Sequence, residues 1–125
     1  LMLTLVISLS MATACVYEPE AESPKACTHA LIGTPATPTP TGEFKAQRMT
    51  TDQRGYGGDI LVFKEQGNMV WAVHRVYKEV ANEHRMNRLM SVDPKQRRIT
   101  NGCVNVWSGF YDVYAADISS VEIEE

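Results

Sequence analysis

A surplus of positive charge is missing from this chain. Its 125 residues carry 12 Lys and Arg against 15 Asp and Glu, a net charge of −3. That balance argues against a nucleic-acid surface as the protein's main business. Cysteine is scarce as well, with only Cys15, Cys27 and Cys103. Three thiols cannot all pair within one chain, and no C-x-x-C spacing occurs. Neither a zinc finger nor a thioredoxin-type motif is supported. His29 follows Cys27 by two residues, but no second ligand pair accompanies it. Structural zinc normally takes four ligands, so no metal site is expected there. No apolar run reaches the ~20 residues of a membrane-spanning helix. Gly55, Gly57 and Gly58 lack the spacing and the flanking strand and helix of a nucleotide-binding loop. Hydrophobic residues at 44% and charged residues at 22% are ordinary for a globular domain, and the length suits one such domain.

Residues 1–14 resemble a secretory signal peptide. An apolar stretch is followed by the small-x-small site Ala12-Thr13-Ala14. Cys15 directly after it looks like a degenerate lipoprotein site, which implies a membrane tether through lipidation of Cys15. The competing reading is an ordinary buried apolar strand or helix at the N-terminus. Residues 15–32 read as an acidic, Pro-containing linker that ends in one short strand, Ala30-Leu31-Ile32-Gly33. The Thr- and Pro-rich stretch 34–42 cannot be helical and is expected as an extended loop. It leads into a strand at Glu43-Phe44-Lys45-Ala46. Ile60-Leu61-Val62-Phe63-Lys64 and Met69 to Val76 read as a hairpin, apolar on both faces and so central in its sheet. Residues 77–90 are expected as a helix or a partly helical excursion. Ser108 is placed to cap a short helix. Val121 to Glu124 alternates as a last strand.

The stretch with most chemistry is Arg98-Ile99-Thr100-Asn101-Gly102-Cys103-Val104-Asn105-Val106. Asn-Gly favours a tight turn, and the apolar run after Cys103 suits a strand. A thiol at such a junction can sit in a cleft near unpaired backbone N–H groups, as a nucleophile with an oxyanion site requires. The plainer alternative is a cysteine filling core space. A free thiol of pKa ~8.5 is only a few per cent thiolate at neutral pH and needs a base. His29, His74 and His84 are the candidates. His74 ends a strong strand and shares its face with Val70, Ala72 and Val76. Basic residues cluster at Arg85, Arg88, Lys95, Arg97 and Arg98, either as a solvated face or as a site for an acidic substrate.

Three motifs in order then resemble the L,D-transpeptidase (YkuD-type) catalytic domain. They are Thr39-Pro40-Thr41-Gly42-Glu43-Phe44, Val73-His74-Arg75-Val76 and Thr100-Asn101-Gly102-Cys103-Val104-Asn105. The resemblance covers residues 33–125. It implies a mainly β fold with short helices, a β-sandwich or mixed sheet that is N-terminally truncated. The stretch ahead of Thr39 has room for about one strand where the family has several, so exposed sheet edges are expected. Cys103 would be the nucleophile and His74 its general base. The backbone of Arg75 would orient the imidazole, and backbone N–H groups around Asn101, Gly102 and Cys103 would bind the oxyanion. Arg98 and Asn105 would hold substrate. The implied reaction is acyl transfer on peptidoglycan stem peptides in the periplasm or cell envelope, and the resemblance implies no metal and no organic cofactor. A non-catalytic peptidoglycan-binding module and an L,D-carboxypeptidase are the alternatives. Many members of the family have Gly where this chain has Arg75.

Overall fold

A computed structural model describes residues 2–125; Leu1, where the leader-like run begins, lies outside the described residues. The strands are β1 (Leu3–Ser8), β2 (Thr13–Tyr17), β3 (Ala26–Gly33), β4 (Gly42–Lys45), β5 (Gln47–Thr50), β6 (Asp59–Gln66), β7 (Met69–Arg75), β8 (Arg98–Thr100), β9 (Val104–Val106) and β10 (Ile118–Glu124). Two short helices join them, α1 (Arg85–Leu89) and α2 (Ser108–Tyr114). The sheet runs β4-β10-β1-β2-β3-β9-β7-β6-β5, with β8 paired to β3. Its two end strands, β4 and β5, are separated in sequence by Ala46 alone. One run of chain therefore belongs to both ends, which rolls the mixed sheet into a nearly closed form. Phe44 of β4 meets Phe63 of β6 across the seam, ring centroids 5.3 Å apart.

The N-terminal segment, where the sequence suggested a leader, forms two strands of this sheet. β1 lies between β10, to which it is parallel, and β2, to which it is antiparallel. Leu3, Leu5 and Ile7 face the core, each exposed by 1% or less. Burial of such a side chain is worth about 1.5–3 kcal/mol, so cleavage after Ala14 would remove a main part of the core. The period-two alternation of Leu3, Leu5 and Ile7 is the signal for this strand. The stretch 15–32 is likewise mostly strand rather than linker. Ala14 and Val16 of β2 are buried, and Cys15 stands directly opposite Cys27 of β3. The two are joined in a disulfide with Cα atoms 4.0 Å apart. A disulfide-bonded Cys15 has no thiol to carry a lipid. Three strands thus stand ahead of residue 34, where the sequence suggested one.

The rolled sheet has two faces. Val73, Val104, Val106, Leu61, Phe63, Ala30 and Ile32 point into the main core with Phe110 and Tyr111 of α2. The alternate residues point outward. There Leu31 and Val76 pack with Leu89 of α1, and Met86 and Ile99 lie against them. The segment 77–90 is the partly helical excursion. It holds one 3-10 turn, Ala81–Glu83, and α1, separated at His84 by a left-handed φ of 51°. The cap of α2 is Trp107 rather than Ser108, and no side chain caps it.

Candidate functional site

β7 and β9 are parallel neighbours, with Val73 opposite Val104 and His74 opposite Asn105. Because Val73 and Val104 face the core, period two turns His74, Ala72, Asn105 and Cys103 to the outer face. The fold thereby brings together the two residues singled out for catalysis, although 29 positions separate them in the chain. Both line one cavity of about 360 Å³, with Thr50, Thr51, Gln53, Tyr56, Ile60 and Val70 around them.

The turn that presents Cys103 is held by Thr100, which is buried. Its Oγ1 accepts the Gly102 N–H at 3.1 Å and donates to the Cys103 carbonyl at 2.6 Å. The Thr100 carbonyl accepts from the Thr34 N–H at 3.1 Å and from Thr37 Oγ1 at 2.9 Å. Thr39 Oγ1 accepts the Gly33 N–H at 3.0 Å. The Thr-rich stretch is thus a brace for the cysteine turn. Gly102 has φ +122°, and a Cβ there would come within 2.8 Å of Trp71 Nε1. Only glycine takes that conformation without strain. The Gly102 N–H, expected at an oxyanion, is occupied by Thr100.

His74 is 3% exposed. Its Nδ1 lies 2.7 Å from the carbonyl oxygen of Arg75. A carbonyl only accepts, so Nδ1 carries the proton and Nε2 keeps the lone pair. Nε2 faces Asn105 Nδ2 at 3.4 Å. The Asn105 amide is oriented by two donors to its Oδ1, the Tyr77 N–H at 3.0 Å and Arg85 Nη1 at 2.9 Å. Asn105 is fully buried and lies behind the imidazole instead of lining the cavity. That corrects its expected role as a substrate contact. Asn101 is an exposed turn residue. Arg98 lines a different cavity, beside Thr34, Pro35 and Glu125, away from Cys103. Arg97 is buried and bound to backbone carbonyls, so it is no anion site.

The two groups rest in their neutral forms. Burial pushes His74 down from its ordinary value to about 4; its hydrogen bond to Arg75 opposes this, and the Arg85 charge adds to it. Burial pushes the Cys103 thiol up, opposed by the Ala72 N–H and the Arg85 charge. The thiol sulfur lies 3.8 Å from the Val70 carbonyl oxygen, to which it donates. Iodoacetamide alkylation of Cys103 is expected to quicken steadily with pH to above pH ~9. It should show no plateau between about pH 6 and 8, the mark of a preformed thiolate.

A stability effect follows from His74. Folded, it titrates near 4; its ordinary value is 6.5. Between these values the unfolded chain binds the extra proton, so stability falls as pH drops from 6.5 towards 4. At ~1.4 kcal/mol per pKa unit the loss is about 3 kcal/mol. Guanidinium unfolding at pH 7 and pH 4 should show it in the wild type and lack it in His74→Gln.

No protein-family model matches the chain, and no curated protein matches it either. Solved structures do. An L,D-transpeptidase from Mycobacterium tuberculosis is 18% identical at TM-score 0.66, covering 98% of this chain and 57% of its own. L,D-transpeptidase 3 from the same organism is 16% identical at TM-score 0.68, covering 98% and 61%. An L,D-transpeptidase in complex with imipenem is 19% identical at TM-score 0.64, covering 98% and 58%. The chain thus spans less than two thirds of the length of the enzymes it matches. Nearly all of it superposes on them, from β1 to β10, and its fold is that of the L,D-transpeptidases of YkuD type.

Proposed function

We propose that the chain is a cysteine-dependent acyltransferase acting on peptidoglycan stem peptides. The observation that carries this is the shared cavity of Cys103 and His74, in a fold otherwise found in L,D-transpeptidases. His74 Nε2 takes the thiol proton as Cys103 Sγ attacks the carbonyl of an L-centre preceding a D-residue. For this the thiol turns from Val70 towards the imidazole and replaces Asn105 Nδ2 at the Nε2 lone pair. Both groups start neutral, so proton transfer accompanies the attack and no standing ion pair precedes it. The N–H of Cys103 itself stabilises the oxyanion. The imidazolium then protonates the leaving amine, and the C–N bond breaks to give a thioester. An incoming amine loses its proton to His74 and takes the acyl group, which forms a cross-link; water in its place gives L,D-carboxypeptidase activity. The disulfide between Cys15 and Cys27 favours an oxidising compartment, and so the cell envelope.

One similar enzyme was crystallised in complex with imipenem. Incubation of the folded chain with imipenem, followed by peptide mass mapping, is expected to place one adduct on Cys103. Without an adduct, and with no change in muropeptides, the acyltransferase reading fails. A second reading, a peptidoglycan-binding module without catalysis, is favoured by the thiol's contact with Val70 and by Asn105 on His74 Nε2. Binding to sacculi by a protein that forms no adduct would select it.

A further inference from the structure

We infer that the Arg75 side chain is a positioning residue for His74. Its guanidinium bolts the 51–58 loop to the end of β7, so that the Tyr56 ring closes over the imidazole. The inference rests on the reading of His74 as base.

Period two sends the side chains of His74 and Arg75 to opposite faces of β7. From its own side Arg75 reaches round the strand end to the loop that covers His74. Nη1 donates to the Tyr56 carbonyl at 3.0 Å and to Asp59 Oδ1 at 2.9 Å. Nε donates to Asp112 Oδ1 of α2 at 2.8 Å, and the guanidinium lies over the Tyr111 ring, 4.4 Å from its centroid. Asp59 is buried and shared. Arg48 donates to its Oδ2, as does the Tyr111 hydroxyl at 3.1 Å. Its carboxyl is held below the usual range by Arg48, Arg75 and Tyr111, against the cost of burial. The loop lies directly on Arg75: a Cβ on Gly57, where φ is +74°, would meet Arg75 Cδ at 3.0 Å.

What the loop delivers is Tyr56. Its ring meets the His74 imidazole edge-on, centroids 4.8 Å apart, and leans on Tyr77 at 5.1 Å. The other polar groups around the imidazole are Asn105, Cys103 and Arg85. Thr51 and Gln53 of the covering loop line the same cavity, and Tyr56 is the loop residue whose ring lies against the imidazole. Arg75 therefore acts on His74 twice. Its carbonyl fixes the tautomer, and its guanidinium holds the cover that keeps the ring dry. A bidentate, planar fork suits this bridging, whereas the point charge of lysine does not span Tyr56 O, Asp59 and Asp112 together.

The test is an NMR titration of His74 in the full chain, in wild type, Arg75→Met and Arg75→Lys. Release of the loop lets water reach the ring, and loss of desolvation raises a histidine pKa. In Arg75→Met the midpoint is expected to climb from about 4 towards the ordinary 6.5. A purely structural Arg75 would lower the unfolding midpoint and leave the titration of the folded protein in place. A folded Arg75→Met whose His74 titrates as in the wild type overturns the inference. Should Arg75→Met fail to fold, Arg75→Lys decides in the same way. The wild-type imipenem adduct separates the two readings. A raised His74 midpoint without an adduct keeps the clamp and loses the catalytic role. An adduct with an unmoved midpoint does the reverse.

Discussion

Cys103→Ala is expected to form no imipenem adduct and to transfer no acyl group, while His74→Ala keeps a slow residue of both. The difference follows from what each group supplies. The sulfur is the atom that forms the new bond, and no other thiol can replace it, because Cys15 and Cys27 are bonded to each other. The imidazole supplies only proton transfer, worth ~10²–10⁴ in rate. A cysteine with an ordinary pKa retains a few per cent thiolate at neutral pH without help. Burial pushes Cys103 above that ordinary value, so less thiolate is present and the base matters more. His74→Ala should therefore fall towards the larger end of that range at pH 7 and recover partly as pH rises. Cys103→Ala should show no recovery at any pH. Loss of fold is not the cause, since the half-buried thiol donates one long bond, 3.8 Å to Val70, and otherwise accepts only from the Ala72 N–H. Its unfolding midpoint should stay close to that of the wild type. Rates of adduct formation by mass spectrometry from pH 6 to 9 check both variants. An adduct in Cys103→Ala sinks the assignment.

The site was more legible in the sequence than the front of the fold. Asn101-Gly102-Cys103 announces a turn, because a positive φ at Gly102 is written into the residue type. His74 at a strand end announces itself by alternation, and the parallel pairing of β7 with β9 then does what no local pattern states. Asn105 shows the limit. Its side chain looked free to meet substrate, but Tyr77 and Arg85, brought in by the excursion after β7, bind its Oδ1 and turn it towards His74. Such a contact depends on how residues 77–90 fold back, and their sequence fits a longer helix than the one formed. The strands β1 and β2 were hidden for a different reason. A short apolar run followed by Ala-x-Ala satisfies both a leader and a buried edge-to-edge strand pair. The alternation of Leu3, Leu5 and Ile7 leans towards the strand, whose parallel partner β10 lies 115 residues downstream at the Leu3–Ile118 bridge. Arg75 was legible as a backbone acceptor and not as a clamp, because its partners Tyr56, Asp59 and Asp112 lie on three other segments.

Arg97→Met is expected to cost about 3 kcal/mol of stability and to leave the acylation rate of folded protein unchanged. Arg97 is 2% exposed. Its Nε donates to the Ala12 carbonyl at 3.1 Å and Nη2 to the Met11 carbonyl at 2.7 Å. Nη1 donates to the Ser91 carbonyl. Among the described residues no salt bridge accompanies these bonds, and burial lowers the pKa of the guanidinium. The residue thus ties the β1–β2 turn, where Ala12 has φ 50°, to the segment between α1 and β8. Hydrogen bonds from a charged donor contribute ~1.5–3 kcal/mol each. The loss is less than their sum. Ala12 O keeps the Ala30 N–H at 2.9 Å, and water can reach the exposed Met11. Methionine fills similar space, which confines the effect to the lost donors. For a domain of this size the thermal midpoint should fall by roughly 10 °C. Had Arg97 held a substrate carboxylate, the same substitution would slow acylation of stem peptides and spare the midpoint. Thermal unfolding and the acylation rate, measured on one preparation, therefore assign Arg97 to the fold or to the substrate.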